Sequence, residues 1–498
     1  MSALPLFFTL LSSGLYVLSF PPFSFTLLAW VALAPFFLAA TMTRPRSAAL
    51  YGGLWGVAVM HGVGWWFPQV VANYFQVSFA VGWIGLLAVS IFLIGSSVAG
   101  FAAWLSWSTR QQAVGPMLVA FGWGTCEFTR ATFLSSNWIA LSGYSQMAFT
   151  RLVQIADIAG PYGVGILLAW GNAYAAGFFA PRLCRRPLRS GLGIGAMIIA
   201  TLLYGQWRLS QIFAVGDPLP IAVIQGAIDE QLRWKPEYIQ ANLDRYLSLT
   251  RTIAEAHPTL IFWPEYAIDF HLQLESRQRE AIFQMTRDLG ADLLVGGRYY
   301  GYGESAMFFR NSVFLVHQGA LAGRYDKVHL IPFAENNPLE FLLPQIRDQY
   351  EPGQRGRLLS TATARIGAFI CFESVYPDFV REFVRQGAEV LANPSNDAWL
   401  GSAAPARHQL DIASMRAIEN RRYLVRPTTT GISAVIDPYG RIVTASDYGV
   451  PAVLTATIFR SHAHTLYQRW GDAVTWIAVV WTLVCSLTRL KKSKENVR

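Results

Sequence analysis

Three residues whose side chains could act together in nucleophilic chemistry each lie beside an apolar run in the C-terminal half of the chain. Glu265 follows Thr-Leu-Ile-Phe-Trp-Pro, Lys327 lies in Tyr-Asp-Lys-Val-His-Leu, and Cys371 ends Arg-Ile-Gly-Ala-Phe-Ile-Cys. A thiol can serve as nucleophile when a neighbouring carboxylate accepts its proton. Each residue also fits an ordinary role, as a salt-bridging glutamate, a surface lysine or an inert core cysteine.

The surroundings of these residues favour a shared site. Glu265 comes just past a predicted buried strand, a familiar position for catalytic groups in layered α/β domains. Apolar neighbours indicate that the loop around Lys327 is partly buried, and a buried ammonium needs a carboxylate partner. Cys371 is followed by Glu373 and by a predicted helix from about Tyr376. A helix N-terminus and a nearby ammonium both lower a thiol pKa, so we expect a reactive cysteine.

Residues 208–467 show the pattern of an α/β layered domain, because apolar strand-like runs alternate with amphipathic helices. A hairpin over 311–326 is predicted to turn at Gln318-Gly319. The predicted strands are 220–225, 259–263, 292–297, 311–317, 365–371, 389–393, 432–437 and 452–457, and the predicted helices are 236–256, 274–289, 376–387 and 404–421.

The rest of the 498-residue chain has the composition of a membrane protein. Hydrophobic residues make up 53% of the sequence and charged residues 14%, against roughly 25% charged residues in average soluble domains. A spanning helix needs about 20 apolar residues. Residues 1–207 therefore predict a seven-helix bundle, and 468–498 predict a C-terminal transmembrane helix with a basic tail. The candidate spans are 4–19, 24–41, 49–67, 79–105, 114–133, 160–180, 191–207 and 470–488.

The net charge of +9 is explained by membrane topology. Basic residues concentrate in alternate loops between the spans and in the tail, so we expect no nucleic-acid partner and assign these loops to the cytoplasm. Both termini are then cytoplasmic, and 208–467 lies on the opposite side, which is the periplasm of a Gram-negative cell. No metal-ligand spacing is present, and we expect no metal or cofactor. The loop residues are Arg44, Arg46, Arg110, Arg182, Arg185, Arg186 and Arg189.

Four segments occur in an order and spacing that resemble the nitrilase superfamily. They are Trp-Pro-Glu, Tyr-Asp-Lys-Val-His-Leu-Ile-Pro-Phe, Ile-Cys-Phe-Glu-Ser and Asn-Pro-Ser-Asn-Asp-Ala-Trp. With seven predicted spans before the domain and one after it, nearly the whole chain resembles the apolipoprotein N-acyltransferase family, a membrane-embedded branch of that superfamily. The resemblance implies an αββα sandwich joined to a bundle of about eight transmembrane helices in a bacterial inner membrane.

The resemblance also implies a catalytic triad of Glu265, Lys327 and Cys371. Cys371 would take an acyl chain from a phospholipid as a thioester, with Glu265 as general base and then general acid. Lys327 and a backbone N–H near Phe372 would stabilise the tetrahedral oxyanion. The acceptor would be the N-terminal α-amine of the S-diacylglyceryl-cysteine of an apolipoprotein, in a ping-pong cycle. A monomer is expected.

Further residues match family positions one at a time. Glu335 would orient Lys327, while Glu373 and Asn311 would support the site. Trp234 and Trp399 would be mobile aromatic residues of the substrate cleft, although packing in an apolar site explains these tryptophans equally well. Departures from the family pattern bear on loop mobility and acceptor preference; they are Tyr266, Ala334, Phe372 and Leu400.

Other functions remain open from the sequence. A membrane-anchored nitrilase-type amidase would pass the acyl group to water, and a divergent acyltransferase would use another acceptor. Seven spans exceed what an anchor needs, since one apolar helix already inserts almost irreversibly. A non-catalytic lipoprotein-binding scaffold is a third alternative, which the intact set of Glu265, Lys327 and Cys371 disfavours.

Overall fold

The computed structural model describes residues 3–133, 139–211, 217–230, 232–233, 235–302, 307–337 and 350–495. The chain divides into two compact units. One comprises Met1–Gln211 with Arg469–Arg498, and the other comprises Ile212–Gln468. We call them the helical unit and the α/β unit.

The helical unit begins with ten α-helices in the part of the chain that the structure describes. They are α1 (Ala3–Val17), α2 (Ala34–Met42), α3 (Pro45–Val63), α4 (Phe67–Phe75), α5 (Phe79–Val89), α6 (Ser96–Gln111), α7 (Pro116–Phe133), α8 (Thr150–Val153), α9 (Ala156–Gly177) and α10 (Pro187–Leu209). A π-helical turn over Ser90–Gly95 joins α5 to α6, so that Phe79–Gln111 is one continuous helical stretch.

The predicted span at 24–41 is not one helix. It is divided between a 3-10 helix at Thr26–Trp30 and α2. The amide of Asn172 on α9 accepts from the backbone N–H groups of Leu33 and Ala34 and donates to Ala29 O. These bonds satisfy backbone groups that a continuous helix would have paired internally.

A buried carboxylate holds a second irregular segment against the bundle. Glu127 on α7 accepts from the backbone N–H and the hydroxyl of Ser142, both at 2.8 Å, and Ser142 begins a buried 3-10 helix, Ser142–Gln146. Arg130 donates to the carbonyls of Ile139 and Ala140. Residues 134–138 lie outside the described part of this connection.

The α/β unit contains two six-stranded sheets in its described residues. The strands are β1 (Pro218–Gln225), β2 (Leu260–Phe262), β3 (Asp292–Tyr302), β4 (Met307–His317), β5 (Ala320–Asp326), β6 (Leu359–Ser360), β7 (Arg365–Ala368), β8 (Val390–Ala392), β9 (Leu424–Arg426), β10 (Ala434–Ile436), β11 (Ile442–Ala445) and β12 (Ala452–Phe459). Their orders are β12-β1-β2-β3-β4-β5 and β11-β10-β9-β8-β7-β6. In the first sheet β1, β2 and β3 are parallel, and in the second β7, β8 and β9 are parallel.

Alternating side chains of β1 show how the layers form. Ile221 and Val223 belong to the core shared by the two sheets, whereas Ala222 and Ile224 pack with the outer helices. This alternation follows from the two-residue repeat of a strand.

The remaining helices are α11 (Ile239–Arg251), α12 (Arg277–Leu289), α13 (Pro377–Arg385), α14 (Ala403–Asn420), α15 (Leu466–Trp470) and α16 (Ala473–Glu495).

Helices α11 and α12 pack on the first sheet, and α13 and α14 pack on the second, so the layers are αββα as predicted. The predicted hairpin is also present, with β4 and β5 paired across Gln318 and Gly319. Strands β6, β9 and β11, which have two, three and four residues, were not predicted.

Three helical stretches in the described residues are long and apolar enough to cross a bilayer: Phe79–Gln111, Pro187–Leu209 and Ala473–Lys491. Two shorter apolar stretches are Ala3–Val17 and Thr26–Met42. The expected count of eight transmembrane helices is therefore not confirmed, although the helical and apolar character of this unit is.

Candidate active site

The three residues singled out by the sequence meet beyond the ends of strands from both sheets. Glu265 lies three residues after β2 and Cys371 three residues after β7, while Lys327 immediately follows β5. Asn311 reaches the same place from within β4. The carboxyl ends of parallel strands lie at one edge of a sheet, where loops can present functional groups.

Lys327 is fully buried and lies between two carboxylates. Its Nζ atom is 2.8 Å from Glu335 Oε2 and 3.5 Å from Glu265 Oε1. The amide of Asn311 donates to both glutamates, at 2.7 Å to Glu265 and 2.8 Å to Glu335. The expectation that Lys327 has a carboxylate partner is confirmed, and it has two.

Burial and charge set the protonation states of this cluster. Burial by itself lowers the pKa of Lys327, but the carboxylates of Glu335 and Glu265 outweigh it and raise the pKa. Burial raises the pKa of Glu265; Lys327 opposes this effect and Glu335 adds to it. Lys327 is thus held as an ammonium, and Glu265 is made a stronger base than an exposed glutamate.

Cys371 and Glu265 lie close enough for each side chain to influence the pKa of the other. Burial, together with the negative charge of Glu265, raises the pKa of this thiol well above its ordinary value, although Lys327 lowers it. The sequence led us to expect that a helix N-terminus and an ammonium would lower the pKa of this thiol, but its pKa is raised. The resting sulfur is therefore a neutral thiol that needs a base at the moment of reaction, and Glu265 is positioned to be that base.

Three non-glycine residues at the site have a left-handed backbone. The φ angles are 51° at Tyr266, 66° at Phe333 and 49° at Cys371. L-residues adopt this region only at a conformational cost, and such residues cluster at functional sites. The positive φ falls on Phe333 and not on the following Ala334, so a side chain at Ala334 meets no left-handed strain.

Glu373 fixes the turn that carries Cys371. Cys371–Val375 is a 3-10 turn, so the predicted strand 365–371 ends earlier, at Ala368, and α13 begins after the turn. Glu373 accepts from the backbone N–H groups of Val328, His329 and Ile370 and from the Tyr325 hydroxyl. Burial raises its pKa to about 7.

Of the aromatic residues predicted near the site, the structure describes Phe372 and Trp399 but not Trp234. Phe372 is half-buried and packs edge-on against Tyr376, with ring centroids 5.7 Å apart. Trp399 is half-buried in a 3-10 turn, Ala398–Leu400. Trp234 lies outside the described residues.

Sequence reasoning missed the role of Asn396. Its backbone N–H donates to Glu265 Oε2 at 2.7 Å. The next residue, Asp397, forms a buried two-point ion pair with Arg426 of β9, at 3.0 and 3.1 Å. The motif containing Asn396 was recognised from the sequence. Its backbone N–H could not be recognised as a donor, because every residue except proline has one.

The arrangement is suited to acyl transfer through a covalent intermediate. A neutral thiol lies beside a carboxylate of raised pKa, and a permanently charged ammonium can stabilise an oxyanion. Asn311 and Asn396 fix Glu265 from two sides, so the base is held in place before substrate arrives.

Comparison with known proteins agrees with both units. The carbon-nitrogen hydrolase family matches residues 220–467, and the apolipoprotein N-acyltransferase N-terminal domain matches residues 12–174. A solved amidase from Nesterenkonia sp. is similar over 51% of this chain and 95% of its own, with 20% identity and a TM-score of 0.39. The family match over residues 220–467 agrees with the motifs, which predicted a domain of the carbon-nitrogen hydrolase type.

Two relatives extend over almost the entire chain. The apolipoprotein N-acyltransferase of Geobacter metallireducens is 33% identical, with 97% of this chain and 94% of the relative covered. That of Methylococcus capsulatus is 31% identical, with 93% and 91% covered. The chain belongs to the apolipoprotein N-acyltransferase family.

Proposed function

We propose that this protein transfers an acyl chain from a phospholipid to the N-terminal α-amine of a diacylated apolipoprotein, through a thioester on Cys371. The observation that carries this proposal is the buried cluster in which Glu265 lies 3.5 Å from the Nζ atom of Lys327 and beside Cys371. Family membership supports the acceptor, since the curated relatives bear the name apolipoprotein N-acyltransferase.

In the first half-reaction Glu265 removes the thiol proton as the sulfur attacks the ester carbonyl. Lys327 and a backbone N–H near Phe372 stabilise the negative oxygen of the tetrahedral intermediate. When the intermediate collapses, the bond from carbonyl carbon to glycerol oxygen breaks. Glu265 returns its proton to that oxygen, and a lysophospholipid leaves.

In the second half-reaction the α-amine attacks the thioester carbonyl. Glu265 accepts a proton from the nitrogen, the carbon–sulfur bond breaks, and the proton restores the thiol. The amide product and the free enzyme result. Glu335 and Asn311 hold Lys327 and Glu265 at the distances that both halves require.

The remaining assignments concern the membrane. We propose eight spans in the inner membrane, with both termini in the cytoplasm, the α/β unit in the periplasm, and a monomeric protein. The topology is supported by the concentration of basic residues in alternate loops, and the spans are supported by the apolar helices of the helical unit. Trp234 and Trp399 are proposed to line the lipid cleft.

The intact mass of the detergent-purified full chain tests the proposal. The protein is incubated with a defined phospholipid and then with a diacylated lipopeptide that has a free α-amine. We expect a gain of one acyl group that moves to the lipopeptide amine. The gain is expected to vanish in Cys371→Ala and to persist in Cys485→Ala, another free thiol.

Two results would contradict the proposal. An acyl gain that decays to free fatty acid while the lipopeptide remains unmodified would favour the amidase-like hydrolase. The absence of any acyl gain in folded protein, with several phospholipids tried, would overturn the assignment of Cys371 as the nucleophile.

A further inference from the structure

One end of the helical unit contains a cavity of about 620 Å³ lined by basic and amide side chains. It lies between the end of α6, the end of α9 and the start of α10. Cavities of about 300–1,000 Å³ are the usual size for small ligands. The residues that matter for its chemistry are Arg110, Gln112, Phe178, Arg182 and Arg185.

The cavity is strongly positive. Arg110, Arg182 and Arg185 are exposed, and among the described residues no carboxylate lines it with them. The helical unit has two acids before residue 212, Glu127 and Asp157, and two in its C-terminal segment, Asp472 and Glu495, and none of the four lines the cavity. Glu127 is bonded to Ser142, and Asp157 is bonded to Tyr204 and Arg208, so neither is available to neutralise these arginines.

Helix ends do not cancel this charge. The C-termini of α6 and α9 and the N-terminus of α10 lie at the cavity, and each helix end is equivalent to about half an elementary charge. Three guanidinium groups exceed that contribution. Arg489 adds positive charge at the margin, where it donates to the carbonyls of Gln112 and Ala113, both at 3.4 Å.

Basic residues that only set the orientation of a membrane protein do not need to line a cavity. Arg46, for example, is an exposed residue of another basic loop and does not line this cavity. By contrast, the backbone of the loop that carries Arg182 is fixed, because the carbonyl of Arg182 accepts from the backbone N–H of Val114 at 2.7 Å. The guanidinium groups of the arginines that line the cavity have a planar set of donors that suits the oxygens of a phosphate group.

We infer that this cavity binds the phosphate group of an anionic membrane lipid. The lipid source is favoured over free phosphate because Phe178 lines the cavity and is 62% exposed, while Leu188, at the start of α10, is 76% exposed. These apolar side chains give acyl chains a surface beside the phosphate. Basic pockets between membrane helices are known to accept anionic headgroups. The site is independent of the Cys371 chemistry.

The test is binding of defined lipids to the full chain in detergent, followed by native mass spectrometry and the thermal midpoint. The probes are phosphatidylglycerol, phosphatidylcholine and inorganic phosphate. We expect phosphatidylglycerol to bind and to raise the midpoint. The double variant Arg182→Gln/Arg185→Gln should weaken that binding by about tenfold or more, equivalent to about 1.4 kcal/mol.

Arg189→Gln is the matched control, because it removes one positive charge four residues farther along without touching the cavity. It should bind as the native protein does. The single variant Arg182→Gln provides a smaller perturbation if the double variant fails to fold, and retained acyl transfer checks folding. Three results would overturn the inference: phosphatidylcholine binding that is equally strong and equally sensitive to the arginine variants, phosphatidylglycerol binding that these variants do not weaken, or a full effect from inorganic phosphate alone.

Discussion

Each unit of the protein buries a glutamate next to a cation, and the two clusters differ in what else they contact. In the helical unit Glu127 accepts from Ser142 through both carboxylate oxygens and lies 3.8 Å from Arg130. In the α/β unit Glu265 is bonded to Asn311 and to the backbone of Asn396, and it also contacts a thiol.

The difference shows what converts a buried ion pair into a site. The partners of Glu127 are backbone and hydroxyl donors that hold the 3-10 helix Ser142–Gln146 in place. Glu265 shares Lys327 with Glu335, so the cluster contains two carboxylates for one ammonium. Burial, together with the surplus carboxylate of Glu335, raises the pKa of Glu265 and makes it a better acceptor for a proton.

The largest expected effect is on the rate of acylation, which should depend on Glu265 and not on Glu127. Glu265→Gln removes the base while keeping the shape, and we expect the rate of acylation of Cys371 to fall by about 10²–10⁴-fold. Glu127→Gln should leave the rate per folded molecule unchanged. The measurement is the time course of the acyl mass gain. An unchanged rate in Glu265→Gln would remove the distinction between the clusters.

Removal of the shared cation should be costly to stability. Lys327→Met leaves two buried carboxylates without their ammonium, and breaking a buried ion pair in this way costs about 3–5 kcal/mol. The thermal midpoint of the purified chain measures the effect. Lys491→Met is the control, because Lys491 is exposed. Equal midpoints for the two variants would contradict the role of Lys327 in holding the carboxylates.

The Glu127 cluster can be disturbed without changing a charge. A Cβ atom at Gly165 would lie 2.6 Å from Glu127 Oε2 and 2.7 Å from Ser142 Oγ, whereas at Gly100 nothing lies within 4 Å. Gly165→Ala should therefore cost about 1–3 kcal/mol by overpacking. Gly100→Ala should be neutral or slightly stabilising in a helix. Similar thermal midpoints in the two variants would argue against tight packing at Glu127.

The smallest effect concerns the pH dependence of acylation. Glu265 must be ionised to accept the thiol proton, so the rate rises as pH rises through its pKa, which lies above that of an ordinary glutamate. Glu335→Gln should move this acidic limb to lower pH, because Glu335 raises the pKa of Glu265. Lys327→Gln should move it to higher pH. The measurement is the initial acylation rate against pH, and opposite shifts would contradict the assignment of Glu265 as base.

Local sequence patterns were enough to predict most strands and helices of the α/β unit and the residue types of its candidate site. The apolar runs around β1, β2 and β3 and the motifs containing Glu265, Lys327 and Cys371 are local patterns, and local patterns are preserved in the folded chain. Pairing of Lys327 with a carboxylate was also predictable, since a buried ammonium without one would be too unfavourable.

The tertiary structure alone decided how those side chains are bonded and which way their pKa values move. The backbone of Asn396 reaches Glu265 across 131 positions of sequence, and a main-chain donor has no residue-type signature. The raised pKa of the Cys371 thiol depends on the balance of burial, Glu265 and Lys327. That balance is set by distances between three loops that follow different strands, and no local pattern in the sequence contains those distances.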